Sequence, residues 1–176
     1  MAMSTQPPRR RMLTLEELRA LAAQAPPSPP SRQLSPSELE DLRARLNQGE
    51  DPRDENEHAA FYQLGIIRYE HDVDDLLARV RDEALDTSPE ASARLYAEGI
   101  LDAVAWARGE LREGPATNRV EDTPRPSTGA LSGEAAAASQ MLSGQRQIPV
   151  GMSKSYLSGV EATLLWTVCT GPDPWT

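Results

Sequence analysis

The chain offers few residues from which chemistry could be built. Its only histidines are His58 and His71, and its only cysteine is Cys169. Glu55-x-x-His58 sets a carboxylate and an imidazole one helical turn apart, the spacing that ligates a metal pair inside a four-helix bundle. Such a centre needs a second Glu-x-x-His and two more carboxylates, and the residue three before His71 is Arg68. His71-Asp72 is a further ligand-type pair, without the additional histidines that a metal centre built on it would require. A single cysteine excludes an intramolecular disulfide and a cysteine-based zinc site. The remaining candidates are carboxylates. Glu38-x-x-Asp41 and Asp72-x-x-Asp75 have i, i+3 spacing, and Glu98 and Asp102 stand four residues apart on a strongly apolar stretch. One helix face would carry each pair, and a divalent cation is the natural ligand. Glu70, Asp72, Asp74 and Asp75 together read first as a solvated acidic face. No glycine-rich phosphate loop and no Gly-x-Ser-x-Gly nucleophile motif occurs.

The carboxylate pairs resemble those with which all-helical nucleotide pyrophosphohydrolases hold magnesium. That resemblance implies a magnesium-dependent hydrolase with Glu98, Asp102, Asp72 and Asp75 as metal ligands. It is the alternative to the reading preferred below, which assigns no catalytic residue and no cofactor.

A different signal is more specific. Tyr96-Ala97-Glu98-Gly99-Ile100 is followed by Trp106, and Tyr156-Leu157-Ser158-Gly159-Val160 is followed by Trp166, at identical offsets. Tyr62-Gln63-Leu64-Gly65-Ile66 repeats the first half, with Asp72 at the tryptophan position. In a helix, positions i, i+3, i+7 and i+10 share a face. Each full copy therefore presents Tyr, Gly, a small residue (Ala103 or Thr163) and Trp in a row. Glycine inside a helix costs roughly 1 kcal/mol relative to alanine. Close approach of a second helix would offset that cost. The helices carrying Gly99 and Gly159 are expected to pack face to face as a pseudo-symmetric pair. The sharper functional expectation is an aromatic groove at Tyr96, Gly99, Trp106, Tyr156, Gly159 and Trp166 that receives a partner helix.

The elements that must position these residues are helices throughout. Thr14 and Glu17 form a capping box for a short amphipathic helix with Leu15 and Leu18 on one side, suited to docking in a partner's groove. A Pro-rich linker follows it. Ser35, Pro36 and Glu38 write a second helix start, and Gly49 its end. From Glu55 to Leu85 the apolar residues Ala59, Tyr62, Ile66, Tyr69, Val73, Leu76 and Val80 alternate at spacings of three and four. That predicts one long helix with a seam for another helix, in this chain or in a second copy as a homodimer. The next helix, to about Leu111, is apolar almost all round and should be central. Thr, Pro, Ser, Gly and Ala dominate residues 115–150, which read as a flexible linker in which Glu134 to Leu142 could form a short helix. Ser153 caps a last helix running to about Thr170.

The domain expectation is thus a flexible tail over 1–33, a helical core over 34–114, a flexible linker over 115–150 and a C-terminal helix over 151–176 packing on the core. Leu64-Gly65, Ala84 and Pro89 fall at the spacing of a tetratricopeptide repeat, so residues 58–110 resemble such a helical repeat. Arg68 and Leu77 depart from its pattern. The Ala105-Trp106-Ala107-Arg108-Gly109 ending is similar to that of short uncharacterised helical proteins of GC-rich bacteria and their phages.

Bulk properties narrow the function classes. The net charge is −9, with 18 basic and 27 acidic residues. General nucleic-acid binding, which relies on neutralising phosphates, is disfavoured. No apolar leader follows the N-terminal arginines, and the most apolar stretch, Tyr156 to Cys169, contains Glu161 and is too short to cross a bilayer. The expectation is an all-α, cytoplasmic, non-enzymatic protein that acts by binding a protein partner.

Overall fold

A computed structural model describes residues 32–84, 88 and 91–176, which belong to the unit Ser31–Thr176. The helix expected around Leu15 and Leu18, with the Pro-rich stretch after it, lies outside the described residues. Those residues form six helices and no strand: α1 Pro36–Asn47, α2 Glu55–Phe61, α3 Glu70–Ala84, α4 Ser92–Ala107, α5 Thr128–Leu142 and α6 Lys154–Thr167. The chain is all-helical, and no helix among the described residues is long and apolar enough to cross a membrane.

Helix α1 forms as its sequence dictates. The Ser35 amide donates to Glu38 Oε2 at 2.8 Å while the Ser35 hydroxyl accepts from the Glu38 amide at 3.4 Å. Two orphan amides are thereby satisfied at once. Arg32 adds an ion pair to Glu38 at 2.5 Å. Leu42 and Leu46 are buried, and Gly49 takes a φ of +83° beyond the helix end.

The single helix expected over 55–85 is two helices. The chain leaves helical geometry after Phe61 and resumes it at Glu70, with Gly65 at a φ of +75° in between. The break persists because its backbone groups find distant partners. Gly65 O accepts from the Thr128 hydroxyl at 2.8 Å, Tyr62 O from the Gly129 amide at 3.1 Å, and Thr167 O from the Ile67 and Arg68 amides at 2.9 and 3.2 Å. A buried backbone group outside a helix must be satisfied elsewhere, and here α5 and α6 supply those bonds. The apolar seam, expected to pack on another helix of this chain or of a second copy, is covered within the chain over its C-terminal half: Val73, Leu76 and Val80 pack with Ala97, Ile100, Val104 and Trp166.

The flexible linker expected over 115–150 is also corrected. Helix α5 occupies its middle, started by Ser127, whose hydroxyl accepts from the Ala130 amide at 3.2 Å. Leu131, Ala135, Ala138 and Met141 are buried in the same cluster as Leu157, Val160 and Leu164 of α6. The alanine-rich composition that reads as low complexity is a stripe of small side chains, which lets two helix backbones come close. Helix α4 ends at Ala107 rather than near Leu111, because Gly109 turns the chain with a φ of +79°.

Two apolar clusters result. One joins α1, α5 and α6 to the Ala103, Trp106 and Ala107 side of α4. The other joins α3 to the Ala97, Ile100 and Val104 side of α4 and to Trp166. Helix α4 is therefore central, as its all-round apolarity requires.

Candidate functional site

The two glycine helices pack as a reciprocal pair. A Cβ built on Gly99 would collide with the Tyr156 carbonyl oxygen and lie 3.1 Å from the Val160 amide. A Cβ on Gly159 would collide with the Tyr96 carbonyl oxygen and lie 3.2 Å from the Ile100 amide. The tyrosine of each motif thus abuts the glycine of the other. Ala103 and Thr163, the small residues of the two rows, are both fully buried, and the Thr163 hydroxyl has no hydrogen-bond partner.

This contact uses up the residues expected to form an aromatic groove. Trp106 is 1% exposed and Trp166 5%, each in one of the two apolar clusters. Tyr96 and Tyr156 are half-buried, and their hydroxyls donate within the chain, to Pro174 O and to Asp102 Oδ2, at 2.9 Å each. Burial, then the neighbouring Asp102 charge, push the Tyr156 phenol well above its ordinary range. No open surface is left between these aromatics for a partner helix. The expectation of a binding groove there is corrected: the pattern is a core device.

The candidate metal carboxylates do not converge. Asp102 is held by the Tyr156 hydroxyl, Glu98 pairs with Arg94 at 3.3 Å, and Asp72 stands beside His71 at 3.4 Å. Asp75 is exposed on α3. Among the described residues no three His, Cys, Asp or Glu side chains are grouped so as to hold a metal ion.

Two constellations were not legible in the sequence. The first is Glu134, a buried carboxylate on α5. It accepts from the Ala116 amide at 2.7 Å, and from the Thr117 amide and hydroxyl at 2.8 Å each. Gly114 leaves room for it, since a Cβ there would lie 2.6 Å from Glu134 Oε1. Full hydrogen bonding stabilises the buried charge, and the arrangement pins the loop after α4 to α5.

The second is a cleft of about 550 Å³ lined by four arginines, Arg43, Arg68, Arg108 and Arg125. Its other charged lining residues are Glu70 and Glu110, and Tyr69 adds a ring that is 40% exposed. Each wall is held rigidly. Asn47 Nδ2 donates to Arg43 O and to Ile67 O, at 3.0 and 2.8 Å, tying α1 to the 62–69 segment. Arg68 Nε donates to Trp166 O at 3.1 Å, and its guanidinium stands 5.5 Å from the Trp166 ring centre, a cation–π contact. Arg108 pairs with Asp74 at 2.6 Å. Gly109 and Pro124 approach so closely that a Cβ on Gly109 would collide with the Pro124 carbonyl, which fixes the loop bearing Arg125.

The donors are under-used. Arg43, Arg68 and Arg125 meet no carboxylate at ion-pair distance among the described residues. Arg43 Nε is buried without a hydrogen-bond partner, and Nη2 makes one long contact, 3.4 Å, to Leu64 O. Contrast Arg45 on the same helix, which is buried against Glu57 at 2.6 Å and Asp41 at 3.1 Å. Sequence separation hides the cleft: Arg43 lies within α1, Arg68 between α2 and α3, Arg108 at the end of α4 and Arg125 shortly before α5, and none sits in a basic run.

No protein-family model matches the chain, and comparison with curated proteins and with solved structures likewise found no match.

Proposed function

We propose that this chain is a non-enzymatic helical protein that binds a partner protein, and that the partner docks at the arginine-lined cleft. The observation that carries this reading is the gathering of four arginines and Tyr69 on one concave, rigid surface of an otherwise acidic molecule. Arginine and tyrosine are the residue types that concentrate binding energy at protein interfaces, because a planar guanidinium or phenol ring adds contact area and directed hydrogen bonds with little flexibility to lose. Arginines without carboxylate partners bring donors that need not first be stripped from an internal ion pair.

Site-specific photocrosslinking tests the reading. A crosslinker at Gln63 or Tyr69 should trap one partner in the native cell extract, and Arg125→Glu should abolish the product. A crosslinker at Lys154, exposed at the start of α6 and outside the cleft lining, should trap none. Equal trapping from both positions, or none from the cleft, would overturn it.

A further inference from the structure

We infer that the cleft recognises a phosphorylated side chain carried by the partner protein, an inference that rests on the docking surface proposed above. The first argument is charge. Arg108 is neutralised by Asp74, and Arg43, Arg68 and Arg125 against Glu70 and Glu110 leave the lining with one net positive charge, on a chain whose total is −9. A phosphomonoester carries about −1.5 to −2 at neutral pH. Its charge can be shared among the three guanidiniums that have no carboxylate partner among the described residues, Arg43, Arg68 and Arg125.

The second argument is donor geometry. A carboxylate presents two acceptor oxygens in one plane, whereas a phosphate presents three in a tetrahedral array and can bridge guanidinium groups from several directions. The free donors here belong to Arg43, Arg68 and Arg125, on separate segments that face one volume. Arg68 is held on the backbone and the Trp166 ring rather than by an acid, so it keeps its full charge for a ligand. Arg43 carries a buried Nε without a hydrogen-bond partner, and its Nη2 makes one long contact, to Leu64 O.

The third argument is shape. The cleft is concave and about 550 Å³, larger than a phosphate alone requires. Tyr69, Leu64 and Pro126 supply apolar surface beside the arginines. A phosphate on a peptide, whose flanking residues cover that surface, uses all of it. An extended acidic peptide would instead spread its charges along a surface, whereas these arginines line a single cleft.

The test uses the full chain in phosphate-free buffer at constant ionic strength. The probes are a degenerate library of phosphoserine-, phosphothreonine- and phosphotyrosine-centred peptides, the same library after phosphatase treatment, and inorganic phosphate. The expected result is phosphopeptide affinity at least about tenfold above the dephosphorylated library and above inorganic phosphate, with a loss of about tenfold in each of Arg43→Gln and Arg125→Gln. Arg125 is exposed, so its variant should keep the wild-type melting profile and remain informative if Arg43→Gln is unstable. Equal binding of the two libraries, or binding untouched by Arg125→Gln, overturns the inference. Inorganic phosphate binding as tightly as the peptides also overturns it, in favour of a free anion. If no phosphopeptide binds while the crosslinker at Gln63 still traps a partner, this inference fails alone. If neither happens, the proposed function fails with it.

Discussion

Gly99 and Gly159 show how little room a residue can have. Each stands where even one methyl group would enter the carbonyl of the facing tyrosine, so backbone, not a movable side chain, would have to shift. Overpacking of a core commonly costs about 1–3 kcal/mol, and more when backbone must move. Gly99→Ala and Gly159→Ala should each lower stability by about 3 kcal/mol or leave the chain unfolded, as read by urea denaturation. Two variants as stable as the wild type would show that the helices separate at little cost. At Gly65 the same residue type serves a different need. There the φ of +75° permits the turn that parts α2 from α3. One Tyr-x-x-Gly spacing thus has two physical meanings, and only the neighbours decide between them.

Helices are placed here by a few buried polar contacts as much as by apolar burial. Helix α5 is fixed to the loop after α4 by Glu134, which takes three hydrogen bonds from residues 116 and 117. Glu134→Gln replaces one acceptor oxygen with a donor facing donors. The expected cost is about 2–3 kcal/mol, since a buried charged acceptor is lost and at least one amide or hydroxyl is left unpaired. A urea midpoint unchanged from wild type would show that the loop is held by packing alone. Helices α1 and α2 are joined by Arg45, which bridges Asp41 and Glu57. The Arg45 guanidinium, and then the Arg53 amide, hold the Glu57 carboxyl below its ordinary range. Hydrogen bonds from Arg32 and then Ser35 bring Glu38 down to about 2. A carboxyl whose folded pKa is depressed stabilises the fold above its unfolded value, about 4.3 for Glu, and loses that contribution as the pH falls through the folded value. The urea midpoint of Glu57→Gln should therefore lie below wild type at about pH 7 and converge on it in acid. A constant difference across the range would remove the Arg45 pairing as its cause.

The net charge is −9, yet three arginines without a carboxylate partner among the described residues, Arg43, Arg68 and Arg125, line one cleft, a distribution that composition averages away. What the sequence determined by itself is local. Ser35, Ser127 and Ser153 each cap a helix with a side-chain oxygen, and for two of them the capping signal was readable because it spans only a few residues. The Tyr–Gly–Trp spacing foretold that α4 and α6 would meet, since a helical face is a function of spacing alone and an unfilled glycine position asks for a close neighbour. Tertiary structure decided the rest. The 55–85 seam kept its period through a turn whose hydrogen bonds come from residues more than sixty positions away. The 115–150 segment looked like a linker because its small residues have no apolar period, yet they are what α6 can approach. The arginine cleft was invisible for the same reason: charge convergence depends on where distant segments end up in space, and no spacing along the chain encodes it.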